Sequence, residues 1–171
     1  QMTGYAAGEL GTIIKTTDGG SNWIQLTSNT SNDLSEIFFI NNNIGFAVGR
    51  SGIVIRTKDG GTRWTQFKTG LNDYLHDVTF INKFTGYIAG LNGTILKTSN
   101  SGDSWKKLKT FSGAPLFCLS FLNENEGAAG GYNTILKTSD GGMNWRSQNI
   151  NFNPSCAIVG ISCIDNNTIY A

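Results

Sequence analysis

Proline is scarce in this sequence, with 2 residues in 171, and charge is both sparse and balanced. Thirteen Lys and Arg face 12 Asp and Glu, a formal net charge of +1. That balance excludes the basic face that holds nucleic acid, and equally an acidic tail. The longest apolar stretches run four or five residues, as in Ile37–Ile40, whereas a membrane-spanning helix needs about 20. The start, Gln1-Met2-Thr3, has no signal-peptide layout. His76 is the only histidine, and HExxH, GxxxxGKS, GxSxG and CxxC are all missing. One histidine with scattered carboxylates offers no metal-ligand spacing, so no metal and no cofactor are expected. His76 itself reads as a solvated or hydrogen-bonded strand residue, with Asp77 beside it on the opposite strand face. The three cysteines, Cys118, Cys156 and Cys163, are odd in number and leave two arrangements open: one disulfide with a free thiol, or three buried thiols.

Glycine and aromatic residues are plentiful: 22 Gly, 10 Phe, 5 Tyr and 4 Trp, in a chain that is 39% hydrophobic. Such a composition supports a packed core and argues against disorder. The length fits one domain, residues 1–171.

Internal repetition organises the chain. Thr16–Trp23 (TTDGGSNW), Thr57–Trp64 (TKDGGTRW), Thr98–Trp105 (TSNSGDSW) and Thr138–Trp145 (TSDGGMNW) share one pattern. Before each lies a second shared block: GYAAGELGTIIKT from Gly4, GFAVGRSGIVIRT from Gly45, GYIAGLNGTILKT from Gly86 and GAAGGYNTILKT from Gly127. Further upstream come LSEIFFIN from Leu34, LHDVTFIN from Leu75, FCLSFLN from Phe117 and VGISCID from Val159. Each period therefore holds four short runs, A to D, rich in Ile, Val, Phe, Thr and Tyr and bounded by Gly, Asn and Asp. In the second repeat, A is Ser35–Ile40, B is Phe46–Val48, C is Ile53–Thr57, and D starts at Trp64. Runs of this kind are strands. Four antiparallel strands in about 40 residues is the arithmetic of a propeller blade, because one small sheet covers its two faces only by stacking on neighbours.

The Thr/Ser-x-Asp-x-Gly-x-x-Trp segment resembles the Asp-box, or BNR repeat, of sialidase-like propellers. The wider repeat, with its GxxGTILKTxDGGxxW, is most similar to the photosystem II assembly and stability factor family of cyanobacteria and plastids, and to related secreted bacterial proteins. The resemblance covers nearly the whole chain. It implies an all-β propeller of four-stranded antiparallel blades with Asp-boxes in the C–D hairpins. It also implies larger rings than the four periods and partial C-terminal repeat seen here. Both ends fall inside a repeat, which points to an excerpt of such a ring. The alternative is a closed four-blade ring, with strand A near Gly160–Ile164 completing the N-terminal blade. The resemblance further implies a non-catalytic scaffold outside the cytoplasm (periplasm, thylakoid lumen or medium), holding a protein client such as a membrane-protein complex.

The box has a structural chemistry of its own. Asp18, Asp59 and Asp140 are placed to accept backbone N–H groups within their turns, and Asn100 keeps that acceptor in the third box. Trp23, Trp64, Trp105 and Trp145 then lie over the hairpins, where an indole buries about 150–250 Å². Recognition is expected on the opposite face, where the loops vary. Its B–C loops and D-to-A connections display Glu9, Arg50, Leu91, Asn92, Tyr132, Asn133, Tyr74 and Phe152 on glycine-framed turns.

An enzyme of the Asp-box type is the competing expectation. A sialidase would need an arginine triad, and four arginines, of which only Arg50 sits in a B–C loop, do not assemble one. A neutral-glycan hydrolase or glycan-binding module would use Glu36 and Asp77, equivalent positions of strand A in consecutive repeats. Sheets stacked about 10 Å apart bring such a pair near the roughly 6.5–9.5 Å of inverting glycosidases.

Overall fold

The structure, a computed structural model, describes residues 2–150, 156–165 and 167–171. Two compact units divide the chain, Gln1–Val78 and Thr79–Ala171. Among the described residues there is no α-helix. The only helical turns are single 3-10 turns at Glu9–Gly11 and Arg50–Gly52.

The first sheet is antiparallel and three-stranded, β1 (Gly4–Ala7), β2 (Ile13–Thr16) and β3 (Ile24–Leu26), in that order. A four-stranded sheet follows: β4 (Leu34–Phe39), β5 (Gly45–Gly49), β6 (Ile53–Thr57) and β7 (Thr65–Lys68). The next comprises β8 (Leu75–Phe80), β9 (Gly86–Gly90), β10 (Ile95–Thr98) and β11 (Lys106–Lys107). The fourth comprises β12 (Leu116–Phe121), β13 (Gly127–Gly131), β14 (Thr134–Thr138) and β15 (Arg146–Ser147). A last pair joins β16 (Ser162–Cys163) to β17 (Ile169–Tyr170), with Ser162 opposite Tyr170. Strand A at Gly160–Ile164 is thus paired with its own successor.

Burial follows position in the sheet. Every residue of β5, β6, β9 and β13 is buried, so these strands show no alternation. They are covered on both faces, which is why they read as continuous apolar or small-residue runs. The outermost β11 and β15 are exposed. Strand D of the second sheet begins at Thr65, one residue later than expected. Trp64 still belongs to the turn, and its carbonyl accepts Asn29 Nδ2 at 3.3 Å.

Glycine at the head of strand B has a packing cause. A Cβ at Gly45 would lie 2.6 Å from the Phe39 ring, and one at Gly127 2.4 Å from the Phe121 ring. The ring closing strand A therefore lies directly on the glycine opposite it in the ladder. That ring is shared on both sides. Phe39 stacks on Tyr5 of the preceding sheet at 3.8 Å and meets Trp64 edge-on at 6.1 Å. Phe121 stacks on Tyr87 at 4.0 Å and meets Trp145 edge-on at 6.0 Å. In the first unit Ile13, Leu34, Ala47, Ile53, Ile55 and Trp64 form the core. In the second, Tyr87, Ile95, Leu116, Leu119, Leu136 and Trp145 do the same.

Strand A carries an irregularity that simple alternation does not foresee. The register between β4 and β5 shifts between Leu34 and Glu36, and that between β12 and β13 shifts between Leu116 and Cys118. Ser35 and Phe117 are therefore extra residues in β-bulges, which twist a strand and re-aim its side chains.

Candidate functional site

The two ends of each blade differ in construction. At one end lies the box. Thr57 Oγ1 donates to Asp59 Oδ1 at 2.9 Å and accepts Gly61 N at 2.8 Å, while Asp59 Oδ1 accepts Arg63 N at 2.9 Å. Thr16 with Asp18 and Thr138 with Asp140 repeat this network. There Asn22 and Asn144 add side-chain amides at 2.7 Å. In the third box Thr98 Oγ1 donates to Asn100 Oδ1 at 2.9 Å, and Asn100 Oδ1 accepts Ser104 N at 3.0 Å. Ser101 takes φ 59° there, where the other boxes have Gly19, Gly60 and Gly141.

The threonine is thus the hub of the box, and it is buried in all four repeats. Its side chain closes the turn that the aspartate alone was expected to close. The signal was present in the sequence, as a Thr two residues before each Asp or Asn.

These bonds set the acidity of the carboxylates. The Asn22 side-chain amide, followed by the Asn22 N–H and Thr16, holds Asp18 down to about 2. Arg63 N–H lowers Asp59, and Asn144 N–H lowers Asp140. In all three boxes Oδ1 is taken by the turn itself, and in the first and fourth Oδ2 accepts the Asn22 or Asn144 amide. The indoles divide. Trp64 and Trp145 are buried, Trp105 is half-buried, and Trp23 is 45% exposed. Leu26 and Tyr5 approach the second box beside Trp64, and Leu108 and Tyr87 the fourth beside Trp145.

A second staple shares this end. Asn41 Oδ1 accepts Asn43 N and Ile44 N at 2.9 Å, and Asn82, Asn123 and Asp165 make the equivalent A–B turns. These turns connect to the boxes through Gly60 N on the Asn43 carbonyl and Gly141 N on the Asn125 carbonyl, both 2.9 Å. An Asn at the end of three A runs, and Asp165 at the end of the fourth, recurred in the sequence, and the role there was missed.

The other end of each blade carries the variable loops. Each B–C loop holds a left-handed residue: Leu10, Ser51, Asn92 and Asn133 have φ between 50° and 60°. Each is pinned to a D-to-A connection. Arg50 N and Leu10 N both reach Asp33, on its carbonyl at 2.9 Å and on Oδ1 at 3.0 Å, and Arg50 Nη1 lies 3.7 Å from Asp33 Oδ2. Gly93 N donates to the Ala114 carbonyl at 2.9 Å, and Tyr132 N to the Pro115 carbonyl at 2.9 Å. Asn133 N reaches the Cys156 carbonyl at 3.0 Å, and its Oδ1 accepts Cys156 N at 3.1 Å.

With their backbones so held, Glu9, Arg50, Asn92, Tyr132 and Asn133 expose their side chains, whereas Leu91 and Tyr74 are half-buried. Tyr74 stacks on His76 at 4.8 Å, and burial lowers the imidazole pKa. Phe152 lies outside the described residues. A shallow cavity of about 300 Å³ opens here between the B–C loop and strand D of the second sheet, lined by Gly52, Gln66, Phe67, Thr69 and Leu71 among others.

Glu36 and Asp77 stand on β4 and β8, which adjoin where Ser35 Oγ donates to the Leu75 carbonyl. Glu36 Oε1 accepts the N–H of Ile37 at 3.0 Å, and desolvation raises its pKa. Among the described residues no three His, Cys, Asp or Glu side chains group as metal ligands. Cys118, Cys156 and Cys163 are all free thiols. Among the described residues no helix is long and apolar enough to cross a membrane.

Comparison with known proteins places this architecture. A search of curated proteins returns no match. Among solved structures, a WD40 β-propeller domain of Doa1 superposes with a TM-score of 0.72 at 12% identity, over 92% of this chain and 53% of the other. A GH74 enzyme of Niastella koreensis gives 0.72 at 14% identity, over 85% and 27%. YCF48 bound to D1 peptide gives 0.63 at 24% identity, over 72% and 41%. The chain thus spans less than two thirds of the length of each of these proteins. At such identities the likeness establishes the fold, an all-β propeller of four-stranded antiparallel blades. The sequence itself matches the family model described as photosynthesis system II assembly factor YCF48 over residues 1–73 and 61–169. With nearly its whole length matched, its box repeats in phase and its blades built as propeller blades, the chain belongs to the photosystem II assembly factor YCF48 (PSII BNR) family.

Proposed function

We propose that the protein is a non-catalytic propeller scaffold that holds a segment of a protein client on its B–C and D-to-A loop face. The observation that carries this reading is the contrast between the two ends of each blade. The box end spends its polar groups on itself, while the opposite end fixes its backbone and presents different side chains in each repeat. Rigid loops with variable tips suit recognition, and a preformed surface limits the entropy lost on binding. Arg50, with its side chain 66% exposed, and Tyr132, 45% exposed, are the contact residues put to the test, and Glu9, Leu91, Asn92, Asn133, Tyr74 and Phe152 belong to the same loop set. The bound peptide of the YCF48 structure supports a polypeptide client, and family membership supports one drawn from a membrane-protein complex and met outside the cytoplasm.

The test is capture of clients from a native extract by the wild-type protein and by Arg50→Glu and Tyr132→Ala variants of unchanged melting temperature. Clients retained by wild type and lost by both variants bear the reading out. Clients retained equally by all three overturn it.

A glycan hydrolase centred on Glu36 and Asp77 is the second reading, favoured by the raised pKa of Glu36, which suits a general acid. Turnover of any member of an oligosaccharide panel, lost in Glu36→Gln, would establish it.

A further inference from the structure

Three D-to-A connections begin with the same turn. A hydroxyl accepts the N–H two residues on: Ser28 from Thr30, Thr69 from Leu71 and Thr110 from Ser112. The residue between them is left-handed in each, with φ 59° at Asn29, 75° at Gly70 and 55° at Phe111. Asn and Gly accept that conformation readily, but an aromatic residue does not. Phe111 therefore holds a strained backbone at a position where the other repeats avoid strain.

Side-chain packing does not offset that strain, because Phe111 is 91% exposed. The turn beneath it is rigid. Thr110 Oγ1 donates to the Gly93 carbonyl at 2.8 Å, Ala114 N donates to Ser112 Oγ at 3.2 Å, and a Cβ on Gly93 would fall 1.9 Å from the Ser112 carbonyl oxygen. Strain held by an over-determined turn around an outward side chain is a mark of a functional position. The charges nearest it in the sequence are of one sign. Lys106, Lys107 and Lys109 are exposed, and no acidic residue occurs between Ser104 and Asn123.

We propose that Phe111 is the anchor of the client-binding loops and that, with Lys109, it takes an acidic polypeptide segment bearing an apolar side chain. The proposal rests on the scaffold reading above and deepens it by naming the chemistry of the client. The ring supplies apolar area with only two side-chain torsions to restrain, and the turn has already fixed its direction. The ammonium group steers a carboxylate-rich chain to it.

The test is a polarisation titration with three labelled peptides. One has a central Leu-Phe flanked by Asp and Glu. The second replaces Leu-Phe by Gly-Gly, and the third replaces the acids by Lys. The first peptide is expected to bind, with the other two at least about tenfold weaker, and its affinity to fall as salt rises. Phe111→Gly is expected to raise the melting temperature, since Gly70 already occupies this turn, and yet to weaken the first peptide by about tenfold or more. Lys109→Glu is expected to weaken it as well.

An unchanged Kd in Phe111→Gly, equal binding of the lysine peptide, or no binding of the acidic peptide to wild type overturns the proposal. So does a concentration-dependent dimer abolished by Phe111→Gly while the acidic peptide stays unbound, which makes the occupant a second copy. Extract clients lost in Tyr132→Ala but kept in Phe111→Gly overturn the anchor and leave the scaffold reading standing. Clients that ignore the Arg50 and Tyr132 variants overturn the scaffold itself.

Discussion

The phenol of Tyr87 donates a hydrogen bond to the carbonyl of Gly141 at 2.7 Å, carrying an interaction from one blade into the box of the next. Lys97 Nζ reaches the same oxygen at 2.6 Å, and Tyr5 and Lys15 repeat the pair on Gly60, both at 2.9 Å. Boxes and blade stacking are therefore one system: each of these two boxes supplies the acceptor that the preceding blade grips. Tyr87→Phe is expected to cost about 0.5–1.5 kcal/mol in denaturant unfolding, as for a typical internal hydrogen bond. Adding Lys97→Met should cost more than the sum of the two single changes, because the Gly141 carbonyl then loses its last side-chain donor. Additivity of the two would show that the shared carbonyl does not couple them.

The same phenol predicts an alkaline transition. Burial foremost, then the charges of Glu124 and Asp140, pushes Tyr87 up to about 12. A pKa raised on folding gives stability that is complete below the ordinary value near 10 and is lost as pH rises toward 12. Ultraviolet titration should show one phenolate forming last, and Tyr87→Phe should remove that step.

The threonine hub makes a sharper mutational prediction than the aspartate. Thr57 is fully buried, and its hydroxyl accepts the buried Gly61 N–H. Thr57→Val keeps the shape and leaves that N–H unpaired, which costs about 1–3 kcal/mol. For a chain of this size the melting temperature should fall by about 2–4 °C per kcal/mol. Asp59→Ala should also destabilise, and Asp59→Asn less, because Asn100 already accepts the turn N–H in the third box. None of the three should change client affinity at equal folded fraction. If Asp59→Ala leaves the unfolding midpoint unmoved and abolishes binding, the box is the binding site.

Acid should loosen the fold through the boxes. Asp18, at about 2, and the lowered Asp59 and Asp140 all bind protons less readily when folded than when unfolded. A depressed native pKa gives stability that is present above the unfolded value near 4 and is lost as pH falls toward 2. Urea midpoints measured from pH 6 to 2 should drop in that window. Replacing all three aspartates by Asn should flatten the profile, and an unchanged slope would refute the assignment.

Glu36 carries the opposite sign. Desolvation raises its pKa, so it stabilises the fold when protonated, and that stabilisation is lost as pH rises through the raised value. Glu36→Gln should therefore raise the melting temperature at neutral pH and have little effect at pH 4. A loss of stability at pH 7 would mean that the carboxylate has a partner it needs.

The strands and their grouping could be read from the sequence because the determinants are local and repeated four times. Apolar runs, Gly-rich turns and the box lie within one period, and each repeat checks the others. The recurring Gly and Phe of strands B and A were visible too, but not their reason, since the Phe39 ring resting on Gly45 is a contact across the ladder. The variable loops were identified by exception: they are where the period fails to repeat.

Tertiary structure alone decided how equivalent residues differ. Trp64 and Trp23 hold the same place in the sequence, but Leu26 and Tyr5 approach the box beside Trp64, and Trp23 is 45% exposed. The bulges at Ser35 and Phe117 were hidden because the run around them still reads as apolar alternation, and only pairing with the neighbouring strand reveals the extra residue. Phe111 could be placed in a variable D-to-A connection from the sequence, but its left-handed φ and its exposure follow only from the turn made by Thr110 and the close approach of Gly93. The sequence determined which residues form each blade, because hydrogen-bonded turns and strand pairing within a period are short-range. The fold decided which of them meet a neighbour and which meet solvent, because burial depends on residues about 40 positions away.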